Sequence, residues 1–127
     1  MNEPISRTTV HAKQAARKAA EVLPFLEAYI AKKELQLAEI EQAVERYEKK
    51  RMMEERAYQS MSSLRRILSG KKPDHHLALE HIHYVRKPME KARLLRRDID
   101  NARTILMHTQ PGDDVTLSEE MEQDLLS

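Results

Sequence analysis

The chain is 127 residues long, 40% hydrophobic and 34% charged, with one Phe, four Tyr, no Trp and no cysteine. That length is one domain's worth, and the lack of cysteine excludes a disulfide framework and thiolate metal sites. Two glycines are too few for the tight turns of a β-rich fold, and no apolar run approaches the 18 residues of a membrane span.

Scarce aromatic bulk together with abundant Ala, Glu, Lys, Leu and Arg is the composition of long, solvent-washed helices. The polar stretch from Met1 to Val10 has no apolar signal segment, so a cytoplasmic location is expected. Net charge is +1 but unevenly placed. No Lys or Arg follows Arg103, whereas Asp113, Asp114, Glu119, Glu120, Glu122 and Asp124 crowd the tail, which leaves the rest of the chain strongly basic.

Residues 1–9 read as disordered, with Ser6, Thr8 or Thr9 available to cap an Ala-rich helix over about 10–22. Pro24 then suggests a new helix start, since proline is favoured in a first turn; a continuous helix running through it is the alternative. From there to Leu68 neither Gly nor Pro occurs. Positions spaced three and four apart read Leu23, Leu26, Ile30, Lys33, Leu37, Ile40, Val44 and Tyr47, apolar at all but Lys33. This heptad-like seam predicts a helix over 24–68, about 67 Å long at 1.5 Å per residue. It falters at Arg51 and Glu54 and resumes at Tyr58, Met61, Leu64 and Leu68.

Ser69-Gly70-Lys71-Lys72-Pro73-Asp74 reads as the stop, with Gly70 suited to a C-terminal left-handed residue and Asp74 to an N-cap. A second helix is predicted over 75–108, with the stripe Ala78, Ile82, Val85, Met89, Ala92, Leu95, Ile99, Ala102 and Leu106. Pro88 lies inside it and should kink the helix without ending it. Gln110-Pro111-Gly112-Asp113 terminates it. Folding back at 69–74 sets Tyr47 across from Leu95, Tyr58 across from Val85 and Met61 across from Ile82. The fold expected is therefore all-α: a long antiparallel, coiled-coil-like helical hairpin with a short N-terminal helix and a flexible acidic tail over 110–127.

Four candidate sites stand out. Phe25, Leu26, Tyr29 and Ile30 lie beyond the reach of the second helix and form an apolar patch, costly to leave wet at about 1.5–3 kcal/mol per large side chain. This patch motivates a homodimer or a different protein partner. Arg65, Arg66, Lys71, Lys72, Arg86, Lys87, Arg96 and Arg97 form a basic ridge of the kind phosphate backbones reward, although no nucleic-acid-binding module accompanies it. Leu117, Met121, Leu125 and Leu126 make an apolar edge on an acidic short helix, with Thr116 and Glu119 at capping-box spacing. That edge suits docking into a basic groove, on a partner or on this chain, and the tail is expected to mask the ridge. His76, Glu80 and His83, within the cluster His75, His76, His81 and His83, share one helical face and are the weak candidate for a metal. Heptad counting puts them on the outer face.

No phosphate loop, nucleophile elbow or cysteine nucleophile is present in the sequence. The expectation is a non-catalytic protein–protein interaction module, an adaptor, chaperone-like or regulatory protein that self-associates. It should need no cofactor, bound metal, small-molecule substrate or membrane partner. A small nucleic-acid-binding accessory protein is the alternative, and a metal-binding helical bundle the second alternative.

Overall fold

The computed structural model describes residues 17–127. Most of them are helical, in the order β1 (Arg17–Lys18), α1 (Ala19–Gln59), α2 (Ser63–Ser69), α3 (Asp74–His81), a π-helical turn (Ile82–Arg86), α4 (Lys87–His108), β2 (Asp114–Val115) and α5 (Glu119–Leu126). The chain divides into two compact units. One consists of residues 17–33 together with 98–127, and the other of 34–97.

The first unit contains the main apolar core. Ala19, Val22, Leu26, Tyr29 and Ile30 of α1 are buried, as are Ile99 and Ala102 of α4 and Val115, Leu117 and Met121 of the C-terminal segment. β1 and β2 form a two-stranded antiparallel ladder with Arg17 opposite Val115, and the Ala19 amide donates to the Asp113 carbonyl at 2.9 Å. This ladder accounts for one departure from expectation. Arg17 and Lys18 are extended, not part of a helix over 10–22, because their backbone is committed to β2. Residues 10–16, the expected disordered N-terminus and the caps Ser6, Thr8 and Thr9 lie outside the described residues. α1 begins at Ala19 and runs unbroken through Pro24, so the continuous-helix alternative holds.

The acidic tail is likewise folded rather than flexible. Gln110 and Asp113 close a tight turn, the Gln110 amide donating to Asp113 Oδ2 at 2.8 Å and the Asp113 amide to the Gln110 carbonyl at 2.9 Å. Ser118, not Thr116, caps α5, its Oγ accepting from the Met121 amide at 3.3 Å. Buried Leu117 and Met121 explain why the segment stays down: their apolar area is removed from water.

The second unit holds the hairpin, and its register differs from the expected one. The Tyr47 ring stacks on Tyr84 with centroids 4.9 Å apart, and Arg96 pairs with Glu41 at 3.0 Å. Tyr47 therefore meets Tyr84, about three helical turns nearer the connection than Leu95. The cause is an early break. α1 stops at Gln59, and Ser60-Met61-Ser62 separates it from α2. Serines compete for backbone groups: the Ser60 hydroxyl donates to the Ala57 carbonyl at 2.9 Å, and Ser62 Oγ accepts from the Arg65 amide at 3.3 Å. Arg66 then satisfies the carbonyls that the break exposes, donating to Gln59 O at 2.7 Å and Met61 O at 3.1 Å. The connection between the hairpin helices is thus 60–73, not 69–74, and the partners of Tyr47 and Glu41 move with it.

Gly70 ends α2 with φ 72°, as its position suggested. Asp74 is the first residue of α3 with Pro73 at the cap, so its carboxylate faces the positive helix terminus without a capping bond. Pro88 does not end the second helix. Just before it the Lys87 amide reaches the Ile82 carbonyl, five residues back, in the π-helical turn. The widened turn accommodates a residue that has no amide to donate.

Two outcomes follow from this core. Leu26→Ala and Leu117→Ala should each cost about 2–5 kcal/mol in chemical denaturation, the range for large-to-small changes at buried sites. Values near zero would show that the C-terminal segment is not part of the core.

Candidate interaction surfaces

Within the first unit, the C-terminal segment is held to β1 and α1 by charge. Arg17 Nε and Nη2 donate to the two carboxylate oxygens of Glu122 at 2.8 and 2.7 Å, a bidentate pair in which Glu122 is only 2% exposed. Lys33 pairs with Glu120 at 3.1 Å, Lys32 with Asp124 at 2.8 Å and Lys18 with Asp114 at 3.1 Å. The Tyr29 hydroxyl donates to Glu120 at 3.4 Å. Burial, followed by the charges of Glu120 and Asp98, pushes the Tyr29 hydroxyl far above its ordinary value. Burial works to raise the Glu120 carboxyl, but hydrogen bonds and charge, led by Lys33, hold it below the usual carboxylate value.

These contacts correct two expectations. Leu26, Tyr29 and Ile30 are buried and Phe25 is half-buried, so the proposed patch is core rather than a docking surface. The tail does pack on this chain, and of the four residues of its apolar edge Leu117 and Met121 are the buried ones. Leu125 is half-buried and Leu126 exposed. Its acids pair with Arg17, Lys18, Lys32 and Lys33, cations that were not counted in the basic ridge.

In the second unit the faltering of the seam marks a polar cleft of about 390 Å³. Tyr47 and Tyr84 form one side. Arg51 and Glu54, paired at 2.6 Å, face Lys72 and Glu80, paired at 2.9 Å. The level of Arg51 and Glu54 on the other helix is thus Glu80. The Tyr47 hydroxyl also donates to Glu80 at 3.3 Å. The Lys72 hydrogen bond leads in holding the Glu80 carboxyl below its usual value, and the same bond raises the Lys72 ammonium. Burial and the Glu80 charge raise the Tyr47 hydroxyl.

Glu80 therefore faces into the hairpin, with both oxygens taken, and is not on the outer face. Its distance from His76 Nε2 is 3.7 Å, while His83 lies edge-on to the Tyr84 ring. Among the described residues no group of three His, Asp or Glu side chains is assembled to hold a metal ion, so His76, Glu80 and His83 are not brought together as one site. Of the basic ridge, Arg66 is spent on backbone carbonyls, Lys72 on Glu80 and Arg96 on Glu41. Arg97 also has a partner. Arg65, Lys71, Arg86 and Lys87 are exposed.

Two apolar features complete this unit. Ile82, Val85 and Met89, half-buried, line an open groove of about 570 Å³ together with Arg86, Lys87 and Glu90. On α2 the side chains of Leu64, Ile67 and Leu68 are 68%, 77% and 78% exposed. No helix of the described residues is long and apolar enough to cross a membrane. Compared with protein-family models, curated proteins and solved structures, the chain matches none of them.

The lowered Glu120 and Glu80 carboxyls give a pH dependence of definite sign. A depressed folded-state value means that the stability they contribute is present above the ordinary carboxylate value, about 4.3, and is lost as pH falls through the folded value. Thermal melting followed by circular dichroism should therefore be flat from neutral pH to about 5 and fall below about pH 4. Glu120→Gln should lower the melting temperature at neutral pH and flatten that acid slope. An unchanged slope would show that Glu120 is not linked to folding.

Proposed function

We propose that the chain is a non-catalytic protein–protein interaction module, a small adaptor or regulator of the cytoplasm, whose hairpin completes its core against a second copy of itself. The observation that supports this is the burial pattern. From residue 45 to residue 91 no side chain is buried within the chain, although Tyr58, Leu77, Ile82, Val85 and Met89 keep an apolar stripe half covered. Helices are stabilised chiefly by burying such a stripe, and a pair that fully buries no side chain over this length is poorly supported alone. The groove along Ile82, Val85 and Met89 accepts another helix. It carries Arg86, Lys87 and Glu90, charges of both signs that a two-fold partner matches reciprocally.

This relocates the expected homodimer from the Leu26 region, which is core, to the hairpin. Sedimentation of the purified chain at roughly tens of micromolar should show a dimer that becomes more helical and melts higher as concentration rises. Val85→Glu combined with Met89→Glu should yield a monomer that keeps the first unit folded. A strict monomer over that range removes the self-association. Hydrogen exchange should also be faster at 47–59 and 74–91 than at 26–44 and 95–102 in dilute, monomeric protein. Uniform protection would mean that the hairpin needs no partner.

A second reading, contact with nucleic acid, draws on the exposed Arg65, Lys71, Arg86 and Lys87. It is separated from the first by salt, because phosphate contacts weaken steeply as ionic strength rises.

A further inference from the structure

The connection between the hairpin helices displays a surface of a different kind. α2 has no buried residue, yet Leu64, Ile67 and Leu68 fall within about 100° of one another around it, at successive positions of a helical face. All three project into solvent, at 68–78% exposure. Large apolar side chains left adjacent in this way are uncommon unless something covers them. The same segment is electrically one-sided: from Arg56 to Pro73 there are five cations and no Asp or Glu. Arg66 is occupied with the carbonyls of the break, and Lys72 is neutralised by Glu80. Arg56, Arg65 and Lys71 remain exposed, with no ion-pair partner among the described residues.

We propose that α2 and its flanking cations form a contact site for an anionic lipid surface, with Leu64, Ile67 and Leu68 inserted among the acyl chains and Arg65 and Lys71 at the headgroups. Charge complementarity selects an anionic surface. It disfavours a second copy meeting at this place, since like cations would face one another. Area selects lipid over a folded protein. A stable protein interface needs about 800 Å² from each partner, and three side chains on a seven-residue helix fall well short of it. A bilayer needs no matching groove, and apolar insertion adds to the attraction of each cation separately. A phosphate backbone would match the cations but leave the three apolar side chains wet. This is contact with a membrane surface, not a span, and it uses residues separate from the dimer groove.

The test uses the full chain and vesicles of phosphatidylcholine with or without about 30 mol% phosphatidylserine, a composition that gives a negative surface potential. Because the chain has no tryptophan, Leu68→Trp places one reporter on the surface. Its emission should shift to the blue and be quenched by brominated acyl chains with anionic vesicles, and not with phosphatidylcholine alone. In co-sedimentation, Leu64→Ser, Ile67→Ser and Leu68→Ser together should lower partition at least tenfold. Arg65→Gln with Lys71→Gln should lower it roughly 20–30-fold at low salt. Circular dichroism checks that these exposed changes leave the helices intact. An unshifted Leu68→Trp spectrum overturns the proposal. So does equal binding by the triple serine variant, which would mean contact through charge alone, or a preference for duplex RNA over anionic vesicles at equal charge.

Discussion

The Arg17–Glu122 pair is the contact on which the first unit depends. A carboxylate in an apolar setting is costly unless its charge is met and its oxygens are hydrogen-bonded. Arg17 does both, with two parallel bonds to a residue 105 positions away in sequence. Because Arg17 also belongs to β1, the same residue fixes the ladder with β2 and the position of α5. A lysine would supply a point charge without the fork. Once this clamp is closed, Leu26, Tyr29, Leu117 and Met121 are withdrawn from water, and apart from Met107 and Leu126 the large apolar side chains left exposed lie on the second unit.

The second unit is built on another balance. Its buried apolar side chains are Val44, Ala92 and Leu95, all at one end of the sequence range that the hairpin covers. Beyond them the helices are joined through the Tyr47–Tyr84 stack and the Glu80 network, in which Tyr47 and Lys72 converge on one carboxylate. Polar contacts of this kind fix orientation and register more than they add stability, since exposed charges gain little over water. An element that is well oriented but thinly cored is suited to adding a partner's helices without first unfolding its own.

The helical class, the Gly70 stop, the terminator at 110–113 and the persistence of the second helix through Pro88 were all legible from spacing and turn chemistry. The register was not, because periodicity reports which face is apolar and says nothing of where along the helix the fold-back begins. Ser60 and Ser62 carried the missing signal, side chains that bond to nearby backbone, and it was masked by the resumed seam at Leu64 and Leu68. The burial of Leu26, Tyr29 and Ile30 was hidden for a different reason: the cover comes from a segment about 90 residues away, which no local pattern encodes. The tail's acidity suggested attraction to cations, but composition alone did not distinguish the numerous ridge cations from Arg17, Lys32 and Lys33, which the β ladder brings within reach.

The serine break links the two surfaces of the second unit. In an unbroken helix, Leu64 and Leu68 would continue the seam and face the second helix. With the chain interrupted at 60–62 and the freed carbonyls held by Arg66, α2 is held by hydrogen bonds to its own connection instead of by apolar packing, so its apolar arc turns outward. The same interruption shortens the hairpin and moves Tyr47 onto Tyr84, which opens the cleft and leaves Ile82, Val85 and Met89 only half covered. One local competition between serine hydroxyls and helical hydrogen bonds thus sets the register and produces both the groove and the exposed apolar arc.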